Sequence, residues 1–249
     1  MFKSLFEKKI SSLWVLCCAG FLVHSQVRIE PTEGGMKGEP TGYIVYNSGE
    51  LSDRIPYSRI SGSPFWRNEW QLATLYVGTN KVSTLQVRLN FATNEIYFLE
   101  NGKEYVLANA KVSIIAFHPA GDTSKAAEIF IQNLPDLSAI NKNFNGFVQV
   151  LNNGDYQLLK YVRRMVSSAD SLFRTQKRYF FTDEAFYFLR FKERIERIKR
   201  LKKDNILEFL PAASTYESWI TQNNIDFKKE ADVIRFLDHY NITHPTEKE

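Results

Sequence analysis

Between Leu85 and Phe91 the chain alternates strictly. Leu85, Val87, Leu89 and Phe91 are apolar, and Gln86, Arg88 and Asn90 between them are polar. A period of two predicts a β-strand with one buried and one wet face. Similar short runs recur along the middle of the chain. Leu72–Val77 ends at Gly78-Thr79-Asn80, and Glu95–Leu99 follows the turn Ala92-Thr93-Asn94. Lys103–Leu107 follows Asn101-Gly102, and Lys111–Phe117 is rich in Ile and Val. Glu128–Ile131, Gly146–Leu151, Asp155–Val162, Arg178–Phe181 and Phe186–Phe191 complete the set. Asn101-Gly102 and Asn153-Gly154 are strong hairpin signals, because both residue types tolerate positive φ. Asp183-Glu184 falls between two predicted strands and reads as a hairpin turn.

The pattern changes after residue 200. Leu201–Leu210 reads as a short helix stopped by Pro211. Ser214 with Glu217 forms a capping-box signature ahead of a helix from Thr215 to about Gln222. Asp226 is placed to cap a third helix, whose predicted buried face is Phe227, Ala231, Ile234, Leu237 and Tyr240. The expected fold is therefore mainly β and α+β overall. It is an antiparallel meander forming a curved sheet or partial barrel, with a small C-terminal helical segment. The expected organisation is a signal peptide at 1–25, a polar lead-in at 26–55 with a short strand at Tyr43–Tyr46, a β domain at 56–200, a helical cap at 201–241 and a tail at 242–249.

The N-terminus carries an address. Lys3, Lys8 and Lys9 precede the uncharged run Leu13–Val23, which is shorter than the ~20 apolar residues a bilayer span requires. The run fits a secretory signal, with cleavage between Ser25 and Gln26. Export to the periplasm or the extracellular space is expected, with no transmembrane anchor. Cys17 and Cys18, the chain's two cysteines, lie inside this run. The mature chain would then have no disulfide, thiol nucleophile or Cys-ligated zinc.

Composition narrows the function classes. Lys plus Arg is 32 against 28 Asp plus Glu, a formal net charge of +4. A dedicated nucleic-acid binder normally has a larger, clustered basic excess, so nucleic acid is not an expected partner. With 44% hydrophobic and 24% charged residues the chain supports a packed core. No HExxH, GxSxG, SxxK or Walker loop occurs. His118, His239 and His244 are too scattered to suggest a metal site, and no cofactor or metal is expected.

Two segments stand out as binding candidates. Gly62-Ser63-Pro64-Phe65-Trp66-Arg67-Asn68-Glu69-Trp70 brings two Trp close together beside Arg59 and Arg67. Arg59, Trp66, Arg67 and Trp70 fit a stacking platform for a sugar or peptide. The same aromatics equally fit a plug at the open end of a barrel. The second segment, Arg190–Lys203, carries eight Lys or Arg against Glu193 and Glu196. Arg194, Arg197 and Arg200 are its candidate anion contacts, for anionic lipid or envelope polymer. The other reading is a sheet edge or helix guarded by charge.

Four signatures add a resemblance: Gly62-Ser63-Pro64-Phe65 with Trp70; Leu85-Gln86-Val87-Arg88-Leu89-Asn90; Val150-Leu151 with Gly154 and Leu158-Leu159-Lys160; and Asn224–Glu230 leading to Tyr240-Asn241. In this order they resemble an uncharacterised family of exported, β-rich bacterial proteins. The resemblance implies an N-terminal signal, a β-meander core and a helical C-terminus, and it brings no reaction or active site. The expected function is an exported, non-enzymatic envelope or secreted protein with a binding or structural role. Envelope glycan, peptide or anionic lipid is the expected partner. The alternative is a carboxylate-dependent hydrolase of envelope polymers; Asp183-Glu184 and Glu193 with Glu196 are its candidate pairs, both read as solvated surface charge, and no catalytic residue is assigned.

Overall fold

The computed structural model describes residues 37–40, 43–48, 51–107, 112–119, 127–132, 134, 146–171 and 174–244. The expected signal peptide, residues 1–25, lies outside them.

The strands, in chain order, are β1 (Lys37–Gly38), β2 (Tyr43–Ser48), β3 (Leu51–Pro56), β4 (Ile60–Ser61), β5 (Gln71–Val77), β6 (Asn80–Asn90) and β7 (Glu95–Glu100). They continue as β8 (Lys103–Leu107), β9 (Ile114–Phe117), β10 (Glu128–Gln132), β11 (Phe147–Val150), β12 (Tyr156–Ser171), β13 (Arg174–Phe191) and β14 (Arg194–Ile198). Among the described residues, twelve of them form one sheet with the path β1-β8-β7-β6-β5-β9-β10-β11-β12-β13-β14. The sheet is not closed. Along this path every neighbouring pair is antiparallel, as the short turns require. The exception to an all-antiparallel sheet is β4, which joins β13 in parallel. The lead-in is more structured than its glycines suggest: β2 and β3 form a separate hairpin, and β1 pairs with β8.

Both Asn-Gly turns join paired strands, β7 to β8 and β11 to β12. Asn101 and Gly102 have φ of 50° and 76°, the left-handed values that a two-residue hairpin turn requires. Asp183-Glu184 is not a turn. It lies in the middle of the 18-residue β13, opposite Arg164 and Arg163 of the 16-residue β12. Cross-strand ion pairs let the four charged residues continue the ladder, where the sequence alone suggests a break.

The helices are α1 (Lys203–Leu207), α2 (Glu217–Gln222) and α3 (Glu230–Thr243), with a 3-10 turn at Ala213–Tyr216. Ser214 falls in that 3-10 turn, and α2 carries no side-chain cap, so the expected capping box does not form. Asp226 sits one turn ahead of α3 and accepts from the Lys228 amide at 3.0 Å, while Lys229 occupies the cap position. The buried stripe of α3 is Val233, Phe236, Leu237 and Tyr240, an i, i+3, i+4, i+7 set. This stripe is rotated from the expected face, and Ala231 is exposed.

Two apolar cores result. One lies between the helices and the ends of β12–β14, around Leu158, Leu189, Phe236 and Tyr240. The other fills the curve of β5–β11, with Leu75, Leu89, Ile115, Phe130 and Phe147 at its centre. A smaller cluster of Val148, Leu159, Tyr161 and Phe188 packs on the opposite face of β11–β13. The first core is locked to the β11–β12 turn by two amides. The buried Asn152 accepts from the Leu158 amide at 2.7 Å and donates to the Tyr156 carbonyl at 3.0 Å. Asn241 of α3 accepts from the Tyr156 amide at 2.9 Å.

Candidate functional site

The Trp-containing segment forms a strap across the concave side of the sheet. Ile60 and Ser61 pair with Tyr179 and Phe180 of β13. Gly62, at φ +96°, then turns the chain inward, a conformation L side chains rarely adopt. The strap lands on β6: the Phe91 amide donates to the Pro64 carbonyl, and the Trp66 amide donates to the Leu89 carbonyl, both at 2.9 Å. Phe65 thereby bridges Asn90. The fully buried Asn90 also accepts from the amides of Ala92 and Thr93. Residues 60–66 therefore tie β13 to β6 while the sheet stays open.

Arg164 of β12 holds the strap from below. Its guanidinium donates to both carboxylate oxygens of Asp183, at 2.7 and 2.6 Å, and to the carbonyls of Ser63 and Phe65. The Arg164 side chain is 15% exposed and that of Asp183 44%. A planar guanidinium suits this task because its fork serves a carboxylate and two carbonyls at once.

Two recesses adjoin the strap and share Trp66, Arg164 and Asp183. The inner one, about 200 Å³, has an aromatic floor of Trp66, Phe91, Phe130 and Phe147. Its polar wall is Gln149, Lys160, Arg164 and Asp183. Lys160 pairs with Glu230 of α3 at 2.7 Å, and the Tyr187 hydroxyl donates to the same Glu230 oxygen at 2.7 Å. Burial, and then that bond to a carboxylate, push the Tyr187 phenol well above its ordinary value of 10. The outer recess, about 460 Å³, is more open and more polar, with Phe65, Asn68, Glu69 and Phe181 on its walls.

The expected platform is split. Trp66 is a plug: its ring centroid lies 4.7 Å from that of Phe130 and 5.1 Å from that of Phe117. Arg67 stacks over it at 4.2 Å and bonds Glu128 at 2.9 Å. Trp70 stands elsewhere, under Arg88, whose guanidinium lies 4.1 Å from both the Trp70 and the Phe65 rings. Arg59 is exposed at the end of a 3-10 turn and lines neither recess.

The basic segment is also divided. Period-two alternation along the edge strand β14 puts Arg194 and Arg197 on opposite faces. Arg194 stacks over Phe209 on the helical side and bonds Glu196, while Arg197 stacks over Phe186. Arg200 lies beyond the strand, exposed, with its carbonyl accepting from Asn205.

His118 bonds Thr74 at 2.7 Å, His239 stacks on Trp219 and His244 stacks on Tyr240. Among the described residues no group of three or more His, Cys, Asp or Glu is placed to hold a metal, and no helix is long and apolar enough to cross a membrane.

Sequence reasoning missed Arg88, Glu128 and Arg164. Arg164 leaves one trace: it continues the inward register Leu158, Lys160, Val162 of β12, where a charge demands a partner. No family model, curated protein or solved structure matches the chain.

Proposed function

We propose that this chain is an exported, non-enzymatic binding protein of the periplasm or extracellular space, and that it contacts an envelope-derived ligand at the recesses beside the strap. The observation that carries the reading is the pairing of an aromatic floor with a fixed polar wall in one concavity. Apolar pockets with a few oriented polar groups are the usual form of a ligand site. The polar groups are prepositioned: Arg164 by Asp183 and the strap, Lys160 by Glu230. Such fixed groups lower the ordering cost of binding. The basic start and the short apolar run support the location. N-terminal sequencing of the native protein is expected to begin at Gln26. An intact Met1 chain in the cytosol would contradict export.

Retention on isolated cell-envelope polymers tests the binding role. Trp66 lines both recesses and Trp70 neither. Trp66→Ala, checked for folding by circular dichroism, is expected to weaken retention by about tenfold, roughly 1.4 kcal/mol. Trp70→Ala is expected to leave it within about twofold. Equal retention by all three proteins would remove the site from the strap.

One observation favours the hydrolase alternative: Glu69 and Asp183 are carboxylates lining the same recess. Degradation of those polymers by the wild-type protein, lost in Glu69→Gln or Asp183→Asn, would establish that reading instead.

A further inference from the structure

β13 is paired with β12 continuously from Lys177 to Phe191, but on its other side it has two separate partners. β4 covers Tyr179 and Phe180, and β14 covers Tyr187–Phe191. Between them lie residues 181–186; Phe186 is covered at the β14 end by Arg197, and the backbone of Phe181–Ala185 faces no strand among the described residues. Both borders have visible causes. Gly62 turns the strap off the edge at one end, and β14 ends at Ile198, opposite Tyr187, at the other. The result is a slot of five residues, about 17 Å long at ~3.3 Å per residue.

We propose that this slot takes an extended peptide segment of a partner polypeptide, added as a short strand beside Phe181–Ala185, with a lysine or arginine side chain directed into the outer recess at Glu69. The inference rests on the binding reading above and names its ligand class. An open strand edge presents alternating N–H and C=O groups, which match a polypeptide backbone in spacing and polarity and are the basis of strand addition.

Among the described residues, the two stretches of edge without a strand partner at this end of the sheet differ in charge. The outer edge, β14, carries Arg194 and Arg197 and is followed by Lys199 and Arg200, the pattern of a guarded edge. In the slot the charges are neutralised within the sheet. Arg164 pairs with Asp183 on the concave face, and Arg163 pairs with Glu184 on the other. Because β4 and β14 close its ends, the slot admits a short segment without offering a continuous edge.

The concave face supplies specificity. Phe181 and Asp183 belong both to the slot and to the outer recess, so every second side chain of an added strand would point into that recess. There Arg67 is engaged by Glu128 and Arg164 by Asp183. Glu69 is exposed and has no ion-pair partner among the described residues, so it is the charge available to a ligand. A cationic side chain complements it.

Fluorescence anisotropy of the mature chain with labelled five-residue peptides tests this. The probe is Val-Thr-Lys-Thr-Val, compared with a central-Glu version and with two versions N-methylated at alternate amides, one for each set. The Lys peptide is expected to bind at least about tenfold tighter than the Glu peptide. Only one N-methylated version should lose binding, because an added strand turns only alternate amides toward the edge. Glu69→Lys, at an exposed position, should reverse the Lys-over-Glu preference.

Equal binding of both N-methylated versions, or an unchanged preference in Glu69→Lys, would overturn the proposal. If no peptide binds while envelope polymers are still retained through Trp66, the peptide assignment fails and the binding reading stands. If neither binds, both fail. Sedimentation as a dimer that the peptide does not dissociate would assign the slot to a second copy and overturn the peptide.

Discussion

Alanine at Phe130 is expected to lower the unfolding free energy by about 3–5 kcal/mol, the range for truncating a well-packed buried aromatic. Phe130 is 1% exposed and is a central member of the core beneath the strap. Its ring centroid lies 4.7 Å from that of Trp66, 5.8 Å from Phe117 and 6.0 Å from Phe91. Removing it takes away the support under Trp66 as well as its own buried area, so the inner recess should lose its shape. Phe130→Leu keeps most of the volume and should cost far less, about 1–1.5 kcal/mol. Urea unfolding of the two variants measures both values. A Phe130→Ala cost below about 1 kcal/mol would mean that this aromatic cluster is not the packed core described.

Arg164→Met is expected to cost about 2–4 kcal/mol, whereas Arg163→Met should cost about 0–1 kcal/mol. The two arginines are neighbours on β12 and each pairs with a carboxylate on β13, so the comparison isolates their surroundings. Arg163 and Glu184 are each 47% exposed, and water replaces either partner readily. Arg164 is 15% exposed and also donates to two strap carbonyls. Methionine keeps the stem's packing but leaves those carbonyls without their donor. Arg164→Met should therefore loosen the strap, seen as faster amide exchange of Phe91 and Trp66, whose bonds join the strap to β6. Equal costs for the two variants would mean that Arg164 does not anchor the strap.

The fold was readable where the signal is local. Period-two alternation marks β6, short strand-like runs between turn signals mark β5 and β7–β11, and Asn-Gly dipeptides mark two hairpins whose strands do pair. The switch to helical spacing after residue 200 located the cap. What failed depends on partners distant in sequence. Asp183-Glu184 looks like a turn until Arg163 and Arg164 are known to lie opposite. Leu237 and Tyr240 lie on the buried face of α3, as their spacing predicts. Ala231 is exposed instead, because the contact with the sheet selects among overlapping apolar stripes.

The candidate site was half legible. The sequence marks Trp66 both as a platform residue and as a plug. Its separation from Trp70 was not visible, since that depends on Arg88 of β6 inserting between Phe65 and Trp70. Arg194, Arg197 and Arg200 form one run in sequence. The alternation of β14 sends the first two to opposite faces, a consequence visible only once the segment is known to be a strand.

The most direct test of the central claim, that ligand contact occurs at the strap, is amide chemical-shift mapping of isotope-labelled residues 26–249 titrated with solubilised envelope polymers. The account predicts shifts concentrated at residues 62–69, Gln149, Arg164 and Phe181–Asp183, around both recesses. Shifts confined to Arg194–Lys203 or to the exposed surface of α3, with residues 62–69 unmoved, would contradict it.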